Sequence, residues 1–145
     1  MKKSAIKSLK NNEAVWFGCD VGKMFHRELG VMDNTLYDYE SFFGVDSNMD
    51  KATRLEYGDS QMTHAMLFTG VDIKNSKPTK WRVENSWGPK GGGDKGYYLM
   101  TDEWFDEYNY EVVIDRKYLS KKTLKLFEQK PVVLNPWDPM GALAE

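Results

Sequence analysis

Apolar side chains along this 145-residue chain change their period several times, and each change marks an element. Ala5, Ile6 and Leu9 recur at helical spacing against lysines, which predicts an amphipathic helix over residues 2–11, ended by Asn11-Asn12. From Ala14 to Asp20 the pattern alternates, with Val15, Phe17 and Cys19 on one face and Trp16 on the other, as a strand requires. Residues 21–60 are mixed and polar and predict loops with short helices. His64 to Ile73 is apolar on both faces, which suits a central strand. Asn75-Ser76-Lys77-Pro78 signals a turn. Lys80 to Ser86 then alternates strictly, with Trp81, Val83 and Asn85 on one face and Lys80, Arg82 and Glu84 on the other.

The two strands read as an antiparallel hairpin centred near residues 75–76. That register sets His64 opposite residue 87 and makes Asn85 its diagonal neighbour, at about 7–8 Å along the backbone. Long polar side chains meet across such a gap. Gly96 to Met100 reads as a third strand. Thr101 is a good helix N-cap, with Asp102 and Glu103 in the first turn of a short helix reaching Tyr108. Glu111 to Asp115 reads as another strand, and Ser120 to Gln129 as an amphipathic helix carrying Leu124 and Phe127. The stretch from Pro131 to Glu145 contains Pro131, Pro136 and Pro139, which argues against any regular element there.

Composition narrows the class. A hydrophobic fraction of 41% with 14% aromatics demands a buried core, and the 29% of charged residues keeps the surface polar. No apolar run approaches the roughly 20 residues of a membrane helix. The basic start, Met1-Lys2-Lys3-Ser4, has no apolar stretch behind it, so no secretory signal is expected. A single cysteine excludes an internal disulfide framework and fits a reducing, cytoplasmic setting. A net charge of −2 argues against nucleic acid as a general partner. The basic stretches at residues 2–10 and 115–130 read first as solvated helix faces.

Little of the chain has the spacing of a chemical motif. Residues 91–96, GGGDKG, match G-x-G-x-x-G by letter, but a strand follows where a nucleotide site needs a helix. The glycines read as a connector. One cysteine and no His-x-x-His or Glu-x-x-His pairing leave no metal-ligand set. His26 sits in a charged segment and reads as exposed. His64 opens an apolar strand with Asn85 across the hairpin, which makes a histidine and its support. Cys19 is rejected as their nucleophile. A catalytic thiol needs a lowered pKa, whereas Cys19 shares a strand face with Val15 and Phe17.

The residues at this point resemble a family. Thr63-His64-Ala65-Met66, Lys80 to Gly88 (KWRVENSWG), Lys95-Gly96-Tyr97 and Thr101 to Phe105 (TDEWF) are similar to papain-superfamily cysteine peptidases, and more closely to the bleomycin hydrolase family. Ala14 to Gly22 (AVWFGCDVG) and Trp137 to Glu145 (WDPMGALAE) extend the resemblance over essentially the whole chain. It implies an α+β papain-like fold: an antiparallel, barrel-like half with flanking helices over residues 1–130 and an extended C-terminal arm over 131–145. It implies His64 as general base, Asn85 as its orienting group and Trp87 as the tryptophan that covers their hydrogen bond. The family nucleophile and its oxyanion-hole glutamine lie far upstream and have no match here, and Cys19 matches a non-catalytic family cysteine. The chain then reads as the C-terminal part of a cysteine aminopeptidase, inactive by itself and needing no cofactor or metal. The family further implies peptide substrates with a free N-terminus, their amine held by the Glu145 carboxylate. It also implies a hexameric ring, no membrane and, in some members, DNA binding through basic stretches such as these. The alternatives are a papain-like module that has lost catalysis and serves binding or assembly, and a basic nucleic-acid module.

Overall fold

The computed structural model describes residues 1–46 and 49–143. Among these residues are five α-helices: α1 (Lys2–Lys10), α2 (Tyr39–Phe43), α3 (Lys51–Glu56), α4 (Asp102–Tyr108) and α5 (Lys121–Leu126). Seven strands, β1 (Val15–Cys19), β2 (Phe25–His26), β3 (Val31–Met32), β4 (His64–Lys74), β5 (Lys77–Glu84), β6 (Tyr97–Thr101) and β7 (Asn109–Val113), form one sheet. Its order is β2-β3-β6-β5-β4-β1-β7. The architecture is the expected α+β half-barrel with helices at its flanks. One pairing departs from the antiparallel expectation, since β3 runs parallel to β6.

Alternation decides which face is buried. Val15, Phe17, Cys19, Met66, Phe68, Trp81, Val83, Tyr98 and Met100 point to one side and form the core. Trp16, Arg82 and Leu99 stay exposed on the other. Helix α4 closes the core, with Phe105 stacked against Phe68 and Trp81 at ring separations of 5.4 and 5.0 Å. Its Thr101 cap accepts the Trp104 N–H, as the sequence predicts. Asp102 accepts the Trp81 indole N–H at 3.0 Å and pairs with Lys2 at 2.8 Å, tying α4 to β5 and α1. At the other end of α4, where carbonyls lack helical partners, Lys51 donates to Asp106 O and Asn109 O, and Arg54 pairs with Glu107.

The central hairpin turns at Asn75-Ser76, both with positive φ, as a tight two-residue hairpin turn requires. Strand β5 therefore starts at Lys77, earlier than the turn signal suggested. Pro78 is tolerated because the pairing with β6 begins only at Lys80, so its missing N–H costs no ladder bond. Two bulges follow, at Thr79 on β5 and Thr69 on β4. They cancel, so Leu67 faces Glu84 in the register that the simple hairpin predicts.

Other expectations need correction. Strand β7 spans Asn109–Val113 instead of 111–115, because α4 passes directly into it and Asn109 must pair with Cys19. Helix α5 is shorter than predicted and buries none of its residues, and Phe127 lies beyond it, exposed. The proline-rich end does carry a 3-10 turn, over Pro139–Leu143, beside α3. Asp138 nucleates it by accepting the Met140 N–H at 2.9 Å, and a proline is tolerated at a helical start. His26 is half-buried in β2, and its Nδ1 accepts the Leu29 N–H at 3.3 Å.

Candidate active site

His64 is the first residue of β4, and the segment before it is anchored. Thr63 donates its N–H to Cys19 O at 3.0 Å, and its hydroxyl accepts the Val21 N–H at 3.3 Å. Ser60, buried, donates to the Asp20 carboxylate at 2.8 Å and shares a hydrogen bond with Tyr110. Met62 lies over Gly18, where any Cβ would collide with its sulfur. Glycine in β1 therefore leaves room for the segment that delivers His64.

Asn85 follows the last residue of β5. Its N–H bonds Gly96 O at 3.1 Å, and its side chain is buried on the core face, as the strict alternation predicts. Across the hairpin the expected diagonal contact is made: His64 Nε2 and Asn85 Oδ1 are 3.0 Å apart. A second bond fixes the roles. The Ser86 N–H donates to the same Oδ1 at 2.8 Å, so that end of the amide must be the oxygen. Nε2 is then the donor and carries the proton. Nδ1 is left with its lone pair, and it has no hydrogen-bond partner among the described residues. Such an imidazole is oriented to accept a proton at Nδ1 from a group arriving at the site.

Trp87 packs against the imidazole, with ring centroids 5.1 Å apart and planes tilted by 33°. The structure thus brings His64, Asn85 and Trp87 together. Glu145 lies outside the described residues. Arg27, whose guanidinium sits 4.7 Å from the Trp87 ring centre, is a neighbour that sequence reasoning missed. Nothing local marks it, since its partners are 60 or more positions away. The glycines at 91–93 do form a connector, followed by strand β6 and no helix. Among the described residues, no three His, Cys, Asp or Glu side chains converge as metal ligands, and no helix is long and apolar enough to cross a membrane.

Cys19 is the Cα partner of His64 in the sheet, so a thiol and an imidazole sit on adjacent strands. The environment nonetheless disqualifies the thiol. Cys19 is completely buried, and desolvation, helped by the Asp20 charge, pushes its pKa far above the usual range. A reactive thiol needs the opposite shift. The same shift predicts a stability effect. Below the unfolded thiol's pKa of about 8.5 both states hold the proton and stability is unaffected. Above it the unfolded chain releases a proton that the folded chain keeps, so stability falls by up to about 1.4 kcal/mol per pH unit. Denaturant titrations at pH 8 and pH 10 should show wild type losing ground to Cys19→Val by about 2 kcal/mol, since about one and a half pH units of that interval lie above the unfolded pKa. An unchanged difference between them would mean that the thiol ionises in the folded chain.

The profile of the Peptidase C1-like family matches residues 1–141. The chain is 58% identical to the bleomycin hydrolase of Homo sapiens over 149 aligned residues, covering 100% of this chain and 32% of that protein. It is 46% identical to aminopeptidase C of Listeria monocytogenes over 144 aligned residues, covering 99% of this chain and 32% of that protein. The crystal structure of PepW from Lactobacillus rhamnosis superposes with a TM-score of 0.89 at 54% identity, covering 98% of this chain and 32% of that one. The chain spans about a third of the length of these relatives and corresponds to their C-terminal part. It belongs to the Peptidase C1-like family.

Proposed function

We propose that this chain supplies the general base and its orienting group to a cysteine aminopeptidase whose nucleophile lies in a segment outside it. One observation carries the reading: the 3.0 Å bond from His64 Nε2 to an Asn85 oxygen whose identity Ser86 fixes. That bond leaves Nδ1 as the proton acceptor. The incoming thiol gives its proton to Nδ1, and the thiolate attacks the peptide carbonyl. Imidazolium then returns the proton to the departing amine as the C–N bond breaks, leaving a thioester that water hydrolyses. Asn85 holds the ring in plane through both transfers, as the third member of a triad does. Trp87 keeps water off the Nε2–Oδ1 bond.

The names of the relatives, bleomycin hydrolase and aminopeptidase C, support a peptidase acting on peptides with a free N-terminus. In this reading the Glu145 carboxylate pairs with the substrate amine, and the complete protein is a cytoplasmic homo-hexamer.

The buried, protonated Cys19 cannot serve as nucleophile, so the chain alone hydrolyses nothing. The test uses an aminoacyl anilide. No release is expected from the chain alone, and release is expected once the cysteine-bearing segment is joined to it. N-acetylation of the substrate should then abolish turnover. Turnover by the chain alone that vanishes in Cys19→Ala would sink the proposal.

A further inference from the structure

We propose that Arg27 is a positioning residue that holds Trp87 against the His64–Asn85 pair. The inference rests on the reading of that pair given above, and it adds a residue to the site from a different part of the sheet.

Trp87 follows the end of β5, and no backbone hydrogen bond fixes it among the described residues. Its neighbours must therefore hold the ring, which is 38% exposed. Phe25 and Tyr98 stand at 6.4 and 6.5 Å, near the outer limit of aromatic contact. The nearer groups are His64, at 5.1 Å, and the Arg27 guanidinium, at 4.7 Å. A guanidinium over an indole face is a favourable cation–π contact, and its flat shape suits stacking.

Arg27 is itself held. It lies in the tight turn between β2 and β3, closed by the Gly30 N–H to His26 O at 2.9 Å. Its carbonyl accepts the Gly93 N–H at 3.1 Å, and its Nε donates to Gly91 O at 2.6 Å. That same Gly91 carbonyl accepts the buried Tyr98 hydroxyl at 2.9 Å. Residue 91 lies against the start of the Trp87 side chain: a Cβ there would come within 2.6 Å of Trp87 Cβ, so glycine is needed at this approach. Arg27 thus grips the glycine loop through Nε and the indole through its guanidinium face. Without it, one side of the indole loses its support, and water gains access to the Nε2–Oδ1 bond.

The test is the solvent exchange of the His64 Nε2 proton, followed by NMR on the chain labelled with ¹⁵N-histidine. Only two histidines are present, so His26→Gln assigns the signals. Arg27→Ala should speed that exchange about tenfold, the combined effect of losing a cation–π contact and a charge-assisted hydrogen bond. Trp87→Ala should speed it at least as much. Arg27→Lys should recover part of the protection, because the cation stays while the Nε bond is lost. Amide exchange in the β4–β5 ladder should not change. Wild-type exchange in Arg27→Ala would overturn the proposal, and so would an equal acceleration of the ladder amides, which would signal general loosening. This readout needs no turnover. Failure of the peptidase reading would show separately, as activity that survives His64→Ala in the complete enzyme.

Discussion

Replacing His64 by Ala in the complete enzyme should lower kcat/KM by about 10⁴-fold or more while leaving the protein folded. Both halves of that expectation follow from where the ring sits. The imidazole joins a hydrogen-bonded Nε2 to an Nδ1 with no partner among the described residues, so in the proposed mechanism its loss removes the proton acceptor and the proton donor together. The structural cost is modest. The ring is half-buried at the start of β4, and its removal sacrifices one hydrogen bond and one ring contact. Those are worth about 1–2 kcal/mol together, or a few degrees in Tm. The strand start stays anchored by Thr63, Ser60 and Met62, none of which depends on the imidazole. Steady-state kinetics beside thermal unfolding measure both. A variant that unfolds would indicate a structural histidine, and one that stays active would remove His64 from the mechanism.

The hairpin shows how much of the site was legible in the sequence. Its centre is announced by Asn75-Ser76, and the alternation of Trp81, Val83 and Asn85 fixes which side chains face the core. Those two signals suffice to predict that His64 and Asn85 meet. The bulges at Thr69 and Thr79 leave no trace in the pattern, and either alone would have turned Asn85 to the opposite face from His64. The prediction survives because they cancel. Strands β2 and β3 were missed for a different reason. Each has two residues, too few to show a period; among the described residues β2 pairs only with β3, and β3 is held by β6, nearly 70 positions away. Arg27 shares that difficulty: its bond to Gly91 and its contact with Trp87 reach partners 60 or more positions away, beside the pairing of β3 with β6. The helix starts read well where caps exist, at Thr101 and Ser120, and so does the end of α4 at Tyr108; the start of β7, which follows α4 without a break, and the end of α5 read poorly.

Asn85→Ala should be the milder lesion, lowering kcat by about 10–100-fold with KM little changed, the loss seen when the partner that orients a metal-bound histidine is removed, applied here to a ring held the same way. The amide moves no proton; it restricts which way the imidazole faces. Without Oδ1 the Nε2–H and the Ser86 N–H lose their shared acceptor. The ring then samples other orientations and tautomers, and only a fraction of them presents Nδ1 to a thiol. Trp87 still limits the ring's motion from one side, which is why the loss stops short of that in His64→Ala. Stability should fall as well, by about 1–3 kcal/mol, since the buried Asn85 side chain is truncated and the His64 Nε2–H and Ser86 N–H lose their acceptor. Part of that cost is offset, because the Asn85 Nδ2 group is itself buried without a partner among the described residues, and the truncation removes it. Asn85→Asp separates the two functions of the amide. It keeps an acceptor for Nε2–H and Ser86 while placing a charge beside the imidazole, which favours the imidazolium and should move the acid limb of the pH–rate profile upward. If Asn85→Ala proved as damaging as His64→Ala, orientation alone would not describe Asn85, and a direct part in the proton transfer would have to be assigned to it.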